Sequence, residues 1–151
     1  MELLHWKQEN LTSRKYTVSD ENGLVGALAI KGWTSNDADF SSERINLHFQ
    51  RKGWLEHDVT IHFKDEVIGI SKSSGFGQTT TTLVTGERFT FQGKTLTSNR
   101  DLVDEAGHTL MHFEQGNFST ASGQISITQD IPELTKLLLV ATGLYFKHLG
   151  Q

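Results

Sequence analysis

Apolar and polar residues alternate with a period of two along most of this chain. Tyr16 and Val18 alternate with Thr17 and Ser19, and Ile45, Leu47 and Phe49 with Asn46, His48 and Gln50. Val59, Ile61 and Phe63 alternate with Thr60, His62 and Lys64; Phe89 and Phe91 flank Thr90, and Ile125 and Ile127 flank Ser126. Successive side chains of a strand point to opposite faces, so this pattern marks sheet with one buried and one wet face. Turn signals punctuate the runs at Glu21-Asn22-Gly23, Arg51-Lys52-Gly53, Gln92-Gly93, Glu105-Ala106-Gly107 and Ala121-Ser122-Gly123. The pattern predicts roughly 11 or 12 short strands. The longest loops are expected at residues 35–42 and in the Gly/Ser/Thr-rich stretch 73–78.

The period changes after Pro132. The run LTKLLLVATGLYFKHLGQ is almost wholly apolar from Leu137 to Phe146. Pro132 suits a first helical turn, where its missing N–H costs nothing, and Asp130 is the expected cap. Glu133, Lys136, Val140, Gly143 and Lys147 trace one side, so charge sits only at the ends. Leu134, Leu137, Leu138, Leu139, Ala141, Leu144, Tyr145 and Phe146 cover the rest. A helix apolar all round must be enclosed. Its apolar centre of about ten residues is half of the roughly 20 that cross a bilayer, so a core helix is expected and no transmembrane segment.

Eight-stranded barrels fill with their own side chains, whereas a wider barrel admits a central helix. The predicted fold class is therefore mainly β (α+β): a closed antiparallel barrel of about 12 strands around a buried hydrophobic C-terminal helix. Gly26, Ala27 and Ala29 offer small side chains where backbone and helix can approach. No linker or shift of composition divides residues 1–151, so one domain is expected.

A weak internal repeat is present. Asp20-Glu21-Asn22-Gly23 is followed by eight residues and Gly32, and Asp104-Glu105-Ala106-Gly107 by eight residues and Gly116. It reads either as one hairpin turn used twice or as a duplicated strand unit. With these paired turns and the LTKLLLVATGLYF helix, the chain resembles the tubby C-terminal-like superfamily, which includes the phospholipid scramblases and LURP-one-related proteins. That resemblance covers nearly the whole chain in layout. It implies a barrel of about twelve strands threaded by a C-terminal helix, and a non-enzymatic domain. In some members that domain binds membrane phosphoinositides through basic residues.

Composition narrows the function. The 151 residues carry a net charge of −4, with 36% hydrophobic residues, one proline and no cysteine. Without cysteine there are no disulfides and no thiolate chemistry. The basic residues look scattered in sequence, which argues against nucleic acid as a partner and equally weakens a strong attraction to anionic lipid. The N-terminus MELLHWKQENL has neither a basic n-region nor a sustained apolar h-region, so a cytoplasmic location is expected.

Candidate chemistry is sparse. Seven histidines invite a metal reading. His108 and His112, four apart on a strand, would lie about 13 Å apart along it. His48 and His62 fall on polar faces and meet only if their strands pair; they are read as surface histidines, with no metal or other cofactor expected. Gly93-Lys94-Thr95 lacks the P-loop's first glycine, since Arg88 stands there. Ser74-Gly75-Phe76-Gly77-Gln78 lacks the third glycine of a dinucleotide fingerprint. The pairs Asp37/Asp39, Asp65/Glu66 and Asp104/Glu105 read as turn carboxylates, and no serine sits in a nucleophile elbow. No enzyme is expected.

The best binding candidates are Arg51 and Lys52 with Trp54, a basic pair and an aromatic at a predicted turn, and a second basic pair, Arg14 and Lys15. Lys and Arg reach phosphate, and Trp favours a bilayer interface. The leading reading is a non-enzymatic binding or scaffold module whose partner is an anionic phospholipid surface, with no protein partner identified. The alternative is a lipocalin-like carrier of a small hydrophobic ligand. That would need a hollow interior and a helix packed outside along a polar stripe, which Val140 and Gly143 interrupt here.

Overall fold

The computed structural model describes residues 1–9, 14–31, 37–51, 58–73, 78–93, 99–116 and 119–149. The strands are β1 (Glu2–Gln8), β2 (Lys15–Asp20), β3 (Gly23–Lys31), β4 (Asp37–Ser42), β5 (Asn46–Arg51) and β6 (Val59–Phe63). They continue with β7 (Glu66–Ser73), β8 (Gln78–Leu83), β9 (Arg88–Gly93), β10 (Arg100–Asp104), β11 (Thr109–Gly116) and β12 (Ser119–Ile127). Each pairs antiparallel with the next, and β12 returns to β1, so the sheet closes into a barrel. Closure leaves no strand edge unpaired.

The alternation read from the sequence becomes the inside and outside of this wall. Leu4, Val18, Leu28, Phe40, Phe49, Ile61, Phe91, Leu102 and Ile125 all point inward and are buried. Three expected breaks are strand instead. Residues 37–42 of the expected loop form β4, Gln92-Gly93 close β9, and Ala121-Ser122-Gly123 lie within β12. Asp is a poor strand former, but Asp39 gains His48 and Lys31 as partners on the outer face, which offsets that preference. The carboxylates Asp37 and Asp39 are thus strand residues and not turn residues.

The up-and-down course gives the barrel two unlike ends. At one, here the turn end, the chain reverses through hairpins at residues 21–22, 43–45, 64–65, 84–87 and 105–108. Both copies of the repeated turn sit there. Asp20 Oδ1 accepts the N–H of Asn22 at 2.8 Å, and Asp104 Oδ1 that of Ala106 at 3.0 Å. Gly23 and Gly107 hold φ at 125° and 86°, a region that L side chains rarely adopt. Strands β1, β3, β5, β7, β9 and β11 finish at the opposite end, here the loop end.

Helix α1 (Glu133–His148) starts at the turn end and runs toward the loop end. Lys136 near its start bonds Glu2 at the head of β1 (2.9 Å), while His148 at its finish meets Tyr16 of β2 (2.9 Å). Residues 137–146 are all buried, none more than 4% exposed. Tyr145 stacks on Phe49 with ring centroids 5.1 Å apart. The Thr142 hydroxyl donates to the Leu138 carbonyl (2.7 Å), which satisfies it within the helix. A Cβ on Gly143 would lie 2.5 Å from Phe113 Cζ, so the glycine makes room for that ring.

Three local expectations are corrected. Asp130 does not cap the helix: Pro132 holds the N-cap position with no side-chain hydrogen bond. Leu134 is 50% exposed, because it lies in the first turn, below the rim of the wall. The helix comes closest to β3, as its small residues suggested. There, however, a Cβ on Gly26 would meet the Phe40 ring and not the helix, and Ala27 and Ala29 fall on the outward positions of the alternation.

Candidate functional site

The basic pairs singled out in the sequence lie at the loop end. Arg14 immediately precedes β2 and Lys15 begins it, with Lys15 Nζ 3.6 Å from Glu9. Arg51 ends β5, and its backbone N–H donates to Asp37 Oδ1 at 3.3 Å. Lys52 and Trp54 lie outside the described residues.

What the sequence reading missed is the company these cations keep. Lys147 and His148 finish α1, and Arg100 begins β10, all at the same mouth. Lys147 Nζ sits 4.8 Å from the centre of the Trp6 ring and 3.5 Å from Gln115 Oε1. The Tyr16 hydroxyl lies 2.9 Å from His148 Nδ1, with the two rings edge to face. Burial lowers the pKa of the Arg100 guanidinium. Burial and then the neighbouring Arg100 charge lower Lys147. Burial, followed by Arg14 and Lys147, lowers His148. Cations from three distant parts of the chain are therefore close enough to repel one another. The negative end of the α1 dipole partly offsets that repulsion.

The turn end has the opposite sign. Its hairpins carry Asp20 and Glu21, Glu43, Asp65 and Glu66, Glu87, and Asp104 and Glu105, against Arg44, Lys64 and Arg88. Asp104 is held below the usual carboxylate value, chiefly by the N–H of His108. In the half of the wall toward the loop end, Lys7, Lys31 and Lys72 add to the cations. Several carboxylates of that half are engaged on the outer face: Asp39 by His48 and Lys31, and Asp101 and Glu114 by His112. The charges that look scattered in sequence are thus sorted by the fold.

The outer wall also settles the condition set for the histidines. β5 pairs with β6 so that His48 stands directly opposite His62, with ring centroids 5.9 Å apart. His48 Nδ1 is 2.7 Å from Asp39 Oδ1, and His62 Nε2 is 2.8 Å from Thr60 Oγ1. His48, His62 and Asp39 line a groove of about 510 Å³ with Gln50, Lys64 and Asp65. Among the described residues, no group of three or more His, Asp or Glu could hold a metal ion by protein ligands alone.

No family model matches the chain, and neither a curated protein nor a solved structure matches it. Among the described residues, no helix is long and apolar enough to cross a membrane.

Proposed function

We propose that the protein is a non-enzymatic, cytoplasmic binding module of the tubby-like kind, which docks by its loop end on anionic phospholipid headgroups. The observation that carries this reading is the clustering of Arg14, Arg100, Lys147 and His148 around the end of α1, with acidic hairpins at the far end. Half-buried like charges cost stability unless something offsets them, and a phosphate would do so. Arg and Lys near a membrane surface each contribute about 1 kcal/mol toward anionic lipid. The charge separation also orients the molecule, since the acidic end is repelled by the same surface. Membership of the tubby C-terminal-like superfamily is part of the proposal, supported by a closed barrel around a C-terminal helix. A carrier role is disfavoured, because α1 takes up the interior that a ligand would need.

Flotation with vesicles of neutral lipid, alone or mixed with anionic lipid, tests the proposal at low and physiological salt. Binding to the anionic vesicles is expected at low salt and should weaken as salt screens it. Arg100→Gln with Lys147→Gln should reduce it at least tenfold, as should Arg51→Glu with Lys52→Glu. Glu21→Lys with Glu105→Lys at the turn end should not reduce it. Absence of binding at low salt, or equal binding by all variants, would remove the lipid reading.

A further inference from the structure

We propose that His48 and His62 form a two-histidine site for a borderline divalent cation, zinc or copper(II), on the outer wall of the barrel, with Asp39 as the positioning residue. The two side chains face each other across adjacent strands, with ring centroids 5.9 Å apart. An ion bound at roughly 2.0–2.1 Å to one nitrogen of each ring, with tetrahedral angles, would hold the centroids about 5 Å apart. The rings need to close by less than about 1 Å, within the reach of small side-chain rotations.

The hydrogen bonds leave one lone pair on each ring. Asp39 is a carboxylate and accepts only, so His48 Nδ1 carries the hydrogen and Nε2 keeps its lone pair. With the Thr60 hydroxyl hydrogen directed to the Gln50 carbonyl at 3.3 Å, the 2.8 Å contact to Thr60 Oγ1 is donated by His62 Nε2, and the lone pair of His62 falls on Nδ1. Both imidazoles are thus oriented by a hydrogen-bond partner on one ring nitrogen, the arrangement that second-sphere carboxylates and hydroxyls give to metal-binding histidines. Asp39 also bonds Lys31 (3.1 Å), which keeps a negative charge beside the pair and offsets that lysine. Asp65 adds a second carboxylate to the groove, and Lys64 a cation.

Two protein ligands leave the remaining positions to water, consistent with the lack of any group of three or more ligands among the described residues. Imidazole suits zinc, nickel and copper(II) and not magnesium or calcium, and copper(II) should bind more tightly than zinc. The site is independent of the loop end, so it stands or falls apart from headgroup binding.

The test titrates zinc chloride and copper(II) chloride into the intact protein by calorimetry, with imidazole carbon NMR in the zinc arm. One ion per chain is expected, with zinc-induced shifts that report ligation through Nε2 of His48 and Nδ1 of His62. His48→Ala and His62→Ala should each weaken binding at least tenfold, and Asp39→Asn about tenfold. His112→Ala, on the far wall, should leave it unchanged. A protein that shows no saturable binding, or keeps its affinity in both histidine variants, or loses it in His112→Ala, would overturn the proposal.

Discussion

At the turn end of the barrel the chain reverses within two to four residues, and its hairpins carry carboxylates that bond their own backbone. At the loop end, cations gather around the last turn of the helix. The same helix links both. Glu133 sits in its first turn, beside the acidic hairpins, and Lys147 and His148 sit in its last. Charges of those signs complement the partial charges of a helix dipole, each contributing about 0.3–1 kcal/mol. The sorting of charge therefore helps fix which way the helix lies in the barrel. The acidic end resolves its charges locally, through turn geometry. The basic end holds half-buried basic groups close enough together to lower one another's pKa.

The largest test of this contrast uses two leucines of one helix. Leu139 is fully buried in the middle, and Leu134 is half exposed at the acidic end. Leu139→Asp should abolish cooperative folding, since an isolated buried charge outweighs a typical stability of about 5–15 kcal/mol. Leu134→Asp should change stability by less than about 0.5 kcal/mol, as an exposed carboxylate near a helix N-terminus. Urea titration followed by near-ultraviolet circular dichroism distinguishes them. A folded Leu139→Asp protein would mean that the helix is not enclosed.

The next effect belongs to the loop half. Tyr145 is buried, and that burial, aided by Asp37 and opposed by Arg51, pushes its pKa from 10.0 up to about 12. An acid with a raised folded pKa stays protonated while the unfolded chain ionises. Stability from this group is thus intact below pH 10 and falls between pH 10 and 12. The full loss should approach roughly 2–3 kcal/mol, at 1.36 kcal/mol per pKa unit. Tyr145→Phe should flatten this alkaline limb when urea midpoints at pH 9 and 11 are compared. Equal slopes in the two proteins would refute the assignment.

Two glycines then sharpen the difference between core and turn. Gly143 is there for space: Gly143→Ala forces its Cβ onto Phe113 and Phe91 and should cost about 1–3 kcal/mol. Gly107 is there for its backbone angle, since a Cβ would meet nothing within 4 Å. Gly107→Ala should cost about 1 kcal/mol. Gly107→Asn should recover part of that loss, because Asn tolerates the left-handed region. Gly143→Asn should be worse than alanine. Melting temperatures of the four variants rank them directly.

How far the sequence reaches follows from what kind of information each feature needs. The wall and the buried helix were legible because both are periodic: alternation at two for the strands, and an apolar run with no wet side for α1. The strand at residues 37–42 was not, because two aspartates mask a local pattern that Lys31 and His48 support from neighbouring strands. Register is equally hidden. Nothing in the spacing of His48 and His62 says that they face each other; pairing of β5 with β6 does. The basic mouth is the clearest case. Arg14 was noticed as half of a pair, but Arg100 and the adjacent Lys147 and His148 lie far from it in sequence and become one cluster only when β10 and β2 are drawn round the end of the helix. Lys52 and Trp54 lie outside the described residues.

The smallest expected effect tests that cluster without lipid. His148 is held below its ordinary value of 6.5 by burial, then by Arg14 and Lys147. A histidine depressed in the folded state takes up its proton later than the unfolded chain does, so the unfolded state binds more protons as pH falls through 6.5. Stability is therefore full above that value and declines as the solution is acidified toward the lowered folded pKa. A protonated ring would also have to donate to Tyr16 where a neutral one can accept. His148→Gln cannot titrate, so wild type should lose more stability between pH 7 and 5 than the variant does. Inorganic phosphate supplies an anionic counter-charge. If the mouth is an anion site, adding phosphate should shrink the acid loss in wild type and leave the His148→Gln profile nearly unmoved. If phosphate shifts both profiles equally, its effect is general screening, and the cluster is merely tolerated by the fold.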